Sequence, residues 1–373
     1  MMIYREYGKT GKMVSAVGFG GMRFDISKSD EENAELLRYA SSKGINYFDT
    51  APNYCENRSE KIFGIAFKDM PNDFYVSTKG MPTQYDTKEK AKDAVKRSLE
   101  KLGVDKINFY HVWCLRKMSH YELAMKPGGQ YEGLLECKEE GLIDHIVFSS
   151  HQPGHEVKEI LQEGKFEGVL LGVNILNFPY RWDGVLSAYE NGYGVVAMNP
   201  LAGGAIAKHE KELHFLSMHG ETPTEAALRF NIASPQITVT LNGFTTKEQI
   251  DMACRIADKG TTFTEKDLEK IKKHLGENMN AVCTGCGYCW DCPMQIPVPA
   301  YMQFYNDKQM FGKSDEKLKK ELKRIREWGF LAVRKGRAKG CVKCGKCEEA
   351  CTQHLPIIKR LEEIAKWERS IER

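Results

Sequence analysis

Phe74-Tyr75-Val76-Ser77-Thr78, then the amphipathic stretch Lys88–Leu102, then Ile107-Asn108-Phe109-Tyr110-His111-Val112 make one strand–helix–strand unit. Each strand is short and mostly apolar, the pattern of a parallel sheet buried under helices on both sides. Working outward, the same alternation gives strands near Val14–Phe19, Ile45–Asp49, Ile143–Ser149, Val169–Val173, Gly194–Met198 and Ile237–Leu241. Eight such units in about 250 residues predict a (β/α)₈ barrel, a TIM-barrel α/β fold. A doubly wound sheet is the competing fold, but no G-x-G-x-x-G opens a helix after an early strand. Residues 1–13 read as a small hairpin turning at Lys9-Thr10-Gly11. Thr222-Pro223 followed by Glu225 reads as a helix start, and Thr264 as the cap of a further helix over 264–275. Met118, Tyr121, Met125, Gly128, Gly129 and Tyr131 read as a long loop after the fourth strand, suited to shaping a substrate pocket or covering the C-terminal domain.

The 373 residues exceed one ordinary core, so two domains are expected. We place the barrel at 1–262, a connecting helix and linker at 263–280, and a small, mostly helical ferredoxin-like domain at 281–373. A net charge of +3 does not argue for nucleic acid or membrane partners. The start, MMIYREYGKTGK, lacks a secretory apolar stretch, and no run approaches the roughly 18 apolar residues of a membrane span. The expectation is a cytoplasmic protein.

Eight of the twelve cysteines fall in two runs. The first is Cys283-x₂-Cys286-x₂-Cys289-x₂-Cys292-Pro293; the second is Cys341-x₂-Cys344-x₂-Cys347-x₃-Cys351. Zinc sites usually pair one C-x₂-C with a distant second pair. Three cysteines in succession, twice, is the signature of two [4Fe–4S] clusters, in which the last cysteine of each run ligates the other cluster. One cluster would take Cys283, Cys286, Cys289 and Cys351; the other would take Cys341, Cys344, Cys347 and Cys292. The first run closes with x₂, and Thr352 rather than proline follows Cys351. The Lys- and Arg-rich stretch 313–339 suits a solvated helix face that screens anionic clusters. Alternatively it is a dock for an acidic electron carrier such as ferredoxin or flavodoxin.

Polar residues stand where barrel strands end: Asp49 and Tyr54 after one strand, Lys79 after the next, and His111 within the following one. Active sites of such barrels lie at that face. An ammonium beside a phenol lowers its pKa, so Lys79, oriented by Asp49, would tune Tyr54 to give a proton to a carbonyl oxygen. The same groups would also serve as a buried ion pair that fills the barrel.

The segment Gly44-Ile45-Asn46-Tyr47-Phe48-Asp49-Thr50-Ala51-Pro52-Asn53-Tyr54, with Ser59-Glu60, Gly64 and Ser77-Thr78-Lys79, resembles the aldo/keto reductase family. The cysteine runs resemble the branch with a fused ferredoxin-type domain. The resemblance implies an NADP(H)-dependent oxidoreductase acting on a small carbonyl or alcohol through an Asp–Tyr–Lys–His tetrad, carried by Asp49, Tyr54 and Lys79. Trp113 aligns with the family histidine, and His111 lies two residues earlier on the same strand face but one layer deeper, from where a small local shift would let it reach the site and assist substrate binding; His151 is a further candidate near that rim. For the nicotinamide site the resemblance implies Ser149, with Ser150 in place of Asn, Val173 in place of Gln and Met198 in place of an aromatic. Asn199, Pro200, Leu201 and Gly204 match the pyrophosphate-side loop. Gly243, Lys247 and Gln249 match the adenosine segment, where Met252-Ala253 replaces the usual Glu-Asn.

Hydride moves two electrons and a cluster takes one, so a flavin in the barrel is a third cofactor this combination suggests. The clusters would otherwise serve a separate partner or mainly stabilise their domain. The competing class is a non-catalytic electron-transfer or redox-sensing module whose barrel has lost its nicotinamide site.

Overall fold

The computed structural model describes residues 2–218, 220–275, 282–328, 331 and 334–372. Strands β1 (Tyr4–Glu6) and β2 (Met13–Ser15) form an antiparallel hairpin. The barrel strands are β3 (Val17–Gly20), β4 (Tyr47–Asp49), β5 (Tyr75–Gly80), β6 (Ile107–Leu115), β7 (Ile143–Ser150), β8 (Gly168–Gly172), β9 (Gly194–Met198) and β10 (Val239–Asn242). They close in that order, every neighbouring pair parallel, with β10 beside β3. All eight expected strands are present, with one division: Val14–Phe19 is not one strand. Its first residues pair with the hairpin, and Val17 onward joins the barrel, because the chain changes partner at Ala16.

The helices in the barrel segment are α1 (Asp30–Ser42), α2 (Ser59–Phe67), α3 (Lys88–Leu102), α4 (Met118–Met125), α5 (Gln130–Glu139), α6 (Gly154–Gln162), α7 (Phe178–Glu190), α8 (Ala205–Lys208), α9 (Pro223–Ala233), α10 (Lys247–Lys259) and α11 (Glu265–Leu275). The starts written in sequence hold: Thr222 and Glu225 form a reciprocal cap on α9, and Thr264 caps α11 through the Asp267 amide. The expected long loop after β6 is instead the pair α4 and α5, joined at Gly128-Gly129. A glycine pair ends one helix and starts the next as readily as it loosens a loop.

The hairpin closes the N-terminal end of the barrel. Tyr7 is fully buried, 4.2 Å from the Phe109 ring centroid, among Val14, Tyr47, Val147, Leu170 and Val196. Its ring lies on the first residues of β8 and β9. A Cβ on Gly168 would fall 2.6 Å from that ring and one on Gly194 2.2 Å from it, so both positions need glycine.

The chain divides into two compact units, residues 1–200 with 216–268 and residues 201–215 with 269–373. This differs from the expected boundary near 281. The stretch 201–215 groups with the second unit because Gly203 lies against the Thr284 backbone, where an added Cβ would sit 1.8 Å from the Thr284 carbonyl oxygen. Residues 276–280, the end of the expected linker, and residue 281, the start of the expected C-terminal domain, lie outside the described residues. The second unit continues through α12 (Val298–Phe311), α13 (Asp315–Trp328), α14 (Lys346–Glu349) and α15 (Ile357–Ile371). Its core joins Ile296, Tyr301, Met302, Leu322, Ile364 and Trp367 to the cysteine runs. Among the described residues no helix is long and apolar enough to cross a membrane.

Candidate active site and cluster pockets

At the C-terminal end of β4, Asp49 meets Lys79 from β5: Lys79 Nζ donates to Asp49 Oδ2 at 2.6 Å and to the Thr50 carbonyl at 2.7 Å. Both side chains are sealed from water. Ser77 donates to Asp49 Oδ1 at 2.8 Å, and His111 Nε2 lies 2.9 Å from Ser77 Oγ. The single Ser77 proton goes to Asp49, so His111 must donate through Nε2–H. The buried chain therefore runs His111 to Ser77 to Asp49, with Lys79 on the other carboxylate oxygen. Burial pushes the Asp49 carboxyl up and the Lys79 ammonium down, and the attraction between them opposes both shifts. Burial, with Lys79 adding to it, holds His111 well below the usual imidazole range, so the ring is neutral.

Tyr54 lies in the loop from β4 to α2, and the Lys79 ammonium is 5.1 Å from its ring centroid. The loop is pinned at several points. Ser59 Oγ bonds Thr50 Oγ1 at 2.7 Å and the Gly21 carbonyl at 3.0 Å, Glu60 accepts from Thr78 Oγ1, and Arg58 donates to Asp30 and to the Ile26 and Lys28 carbonyls. Cys55, Glu56 and Asn57 take positive φ of 50°, 56° and 67° in succession, a left-handed turn that costs about 1–2 kcal/mol per residue. The Cys55 thiol donates to Gly21 O, a packing role for this residue.

One sequence expectation reverses here. The phenol of Tyr54 is raised well above its usual pKa, not lowered. Burial is the largest cause and the Asp49 charge the next, while Arg23 opposes them. The Lys79 cation is already spent on Asp49 and Thr50.

β6 is interrupted between Val112 and Leu115, with Cys114 at φ 63° and its N–H donating to Ser149 Oγ. Trp113 therefore meets Tyr54 edge to face, with centroids 5.7 Å apart. His111 is fully buried a layer below, so it cannot touch a substrate as the resemblance implied. His151 is buried too, and its carbonyl accepts from Arg181.

Several candidate nucleotide residues already have partners. Ser149 accepts from Cys114, Ser150 bonds the Leu115 carbonyl and Gln152, and Gln249 caps Thr245. Val173 is buried and Met198 partly so. Asn199, at φ 59°, accepts from Asn174 through its carbonyl. Pro200 closes the first unit's segment, and Leu201 and Gly204 belong to the second. Gly243 and Lys247 are exposed, the Lys247 ammonium 4.9 Å from the Tyr39 ring centroid at the start of α10.

Sequence reasoning passed over Ser77 as a linker, Arg23, and above all Arg181. Arg181 is fully buried and donates to the carbonyls of His151, Gln152 and Gly172, tying the ends of β7 and β8 to α7. An arginine in an amphipathic helix gives no sign of this. Ser77 was legible in principle, since it alternates with Lys79 on one strand.

In the second unit, Cys283, Cys286, Cys289 and Cys351 line one pocket, with about 310 Å³ of empty space. Cys292, Cys341, Cys344 and Cys347 line another of about 340 Å³. These are the two sets expected from the spacing. Among the described residues no three His, Cys, Asp or Glu side chains converge tightly enough for a single ion. Four sulfurs at each pocket, in the sets the spacing predicts, suit two cubanes. The first set is also hydrogen-bonded: Gly285 N–H donates to Cys283 Sγ and Leu355 N–H to Cys351 Sγ, while the Thr352 hydroxyl lies 3.4 Å from Cys286 Sγ.

A parallel barrel with a polar network at its strand ends, joined to a unit with two four-cysteine pockets, defines an iron–sulfur oxidoreductase of the barrel class. Residues 16–276 match the model of the aldo/keto reductase family, and the chain belongs to that family. Residues 282–356 match the 4Fe-4S dicluster domain. Oxidoreductase YqkF of Bacillus subtilis is 25% identical, over 74% of this chain and 97% of its own length. D-threo-aldose 1-dehydrogenase of a Pseudomonas species is 24% identical, over 58% of this chain and 74% of its own. The solved holo form of an aldo-keto reductase from Bacillus halodurans shares the barrel, with a TM-score of 0.62 at 23% identity over 74% of this chain and 97% of that one.

Proposed function

We propose that the barrel reduces a small carbonyl compound, or oxidises the matching alcohol, with NADP(H), and that two [4Fe–4S] clusters exchange electrons with a carrier protein. The observation that carries the reading is the buried chain from His111 through Ser77 to the Asp49–Lys79 pair under the Tyr54 ring. When bound, the nicotinamide supplies or accepts the hydride. Tyr54 gives its hydroxyl proton to the carbonyl oxygen, and its raised pKa keeps that proton in place until the oxygen gains charge. Asp49 and the Thr50 carbonyl hold Lys79 beneath the Tyr54 ring, and His111 acts only by orienting Ser77 and Asp49. Trp113 offers an apolar wall where the substrate would meet Tyr54.

The residues present suit the phosphate end of the nucleotide. Lys247 stands exposed at the N-terminus of α10, where backbone N–H groups favour phosphate, and the Gly243 backbone packs against the Arg23 side chain, so close that an added Cβ would fall 2.7 Å from it. Ser149 would keep its hydroxyl proton for the carboxamide, since it only accepts from Cys114. The cysteine pockets would hold the clusters in the two sets given above.

The apolar Val173 and Met198, with Ser150 and Gln249 already bonded, favour a second reading: an electron-transfer or sensing module without a nicotinamide site. Titrating anaerobically purified protein with NADPH, followed by assay on a panel of aldoses and small aldehydes, separates the two. Tight binding and turnover support the enzyme; no detectable binding removes it.

A further inference from the structure

We propose that the second cysteine set marks an electron port, and that its face docks an acidic one-electron carrier protein. This rests on reading the eight cysteines as ligands of two clusters. The two sets differ in access. Cys289 and Cys351 of the first set are buried, whereas Cys344 of the second is exposed. Among the described residues of the second unit, the exposed large apolar side chains are Trp290, Met294 and Val342, at 40%, 43% and 58%. Met294 and Val342 line the wall of the second pocket, and Trp290 precedes its ligand Cys292 by two residues. Trp290 stands between a ligand of each set. The exposed large apolar side chains that line a cysteine pocket among the described residues, Met294 and Val342, both belong to the second, and such an apron marks a contact surface.

Charge says what covers it. The Arg334 guanidinium lies 3.8 Å from the Trp290 ring centroid and donates to the Trp290 carbonyl. The Gly336 backbone packs on Met294, so close that a Cβ would fall 2.3 Å from the Met294 carbonyl oxygen. The basic segment thus borders the apron. Residues 290–294 and 334–346 together carry six cations (Arg334, Lys335, Arg337, Lys339, Lys343 and Lys346) and one carboxylate, Asp291. Arg337 and Lys339 reach Glu372, and Lys343 reaches Glu362. Lys335 and Lys346 are exposed and pair with no carboxylate among the described residues. A second copy of this chain would bring the same cations and be repelled. A carrier with an acidic face round its redox centre would be steered in, its apolar contact settling on Trp290 and Val342. One electron then leaves the reduced carrier, which is oxidised, and enters the cluster, which is reduced; no bond or proton moves.

The test uses the full chain loaded with clusters under anaerobic conditions and a reduced acidic plant-type [2Fe–2S] ferredoxin as probe. Cluster bleaching is followed by stopped flow at several salt concentrations. The expected second-order rate falls steeply with salt. Lys335→Glu/Lys346→Glu should be at least tenfold slower at low salt with a flattened salt dependence, whereas Lys320→Glu/Lys323→Glu on α13 should stay within twofold of wild type. Iron and sulfide content is measured on every variant, so that loss of clusters counts against the cluster reading and not the dock. The dock is overturned if the wild-type rate ignores salt, if the docking variant keeps intact clusters and the wild-type rate, or if the α13 variant is slowed as much.

Discussion

The Lys79 ammonium sits 2.6 Å from the Asp49 carboxylate with both side chains sealed from water. Removing one charge leaves the other buried alone, which costs about 3–5 kcal/mol. Asp49→Asn should therefore destabilise the barrel by that amount, whereas Asp49→Asn/Lys79→Met should cost less than the single change. Urea unfolding followed by aromatic circular dichroism measures this. A single variant within about 0.5 kcal/mol of wild type would mean the pair is not a buried ion pair.

Tyr54→Phe should remove turnover by about 10²–10⁴-fold, the usual worth of a positioned acid or base, and leave the visible cluster spectrum unchanged. The ring keeps its edge contact with Trp113, so folding should be unaffected. Because the phenol is raised above its usual pKa, carbonyl reduction should not fall as pH rises toward 10. Unchanged turnover in the variant would remove Tyr54 from the chemistry.

The barrel was legible because each strand–helix unit repeats one pattern, and the cysteine sets because spacing alone fixes which sulfurs can share a cubane. What stayed hidden depends on contacts between distant segments. Asp49 and Lys79 were named as partners, yet the Tyr54 shift was read with the wrong sign, since sequence does not show that the phenol is buried and faces the Asp49 charge. His111 was placed on the right strand face and one layer deeper, but the break at Cys114 beside the Trp113–Tyr54 contact was not foreseen. Arg181 was invisible because its three carbonyl partners come from the ends of β7 and β8.

His111 gives a pH signature of stability. Its folded pKa is held well below the unfolded value of about 6.5, by burial first and by Lys79 second; Asp49 lies 4.0 Å away. The unfolded chain takes up a proton below about pH 6.5 that the folded chain refuses. Stability from this group is thus present above 6.5 and lost as pH falls below it, at up to about 1.4 kcal/mol per unit. His111→Gln keeps a donor for Ser77 but cannot titrate. The stability of wild type relative to the variant in urea unfolding should therefore fall from pH 7 to pH 5.5. A constant difference would show that His111 does not titrate between the two states.

The two clusters should differ in reduction potential. Around the first set, Gly285 and Leu355 donate to sulfurs, Thr352 lies at hydrogen-bond distance from Cys286, and the buried Arg360 guanidinium adds positive charge that acts on Cys283 and Cys351. Hydrogen bonds and positive charge stabilise the reduced, more anionic cluster, so this set should be the easier to reduce. Electrons arriving at the exposed second set would then run downhill to the first. Thr352→Val and Arg360→Leu should each lower the first potential by tens of millivolts, about 59 mV being tenfold in a one-electron equilibrium. A redox titration followed by electron paramagnetic resonance resolves the two signals. If both variants leave the higher potential in place while the lower one moves, the assignment of the two sets is reversed.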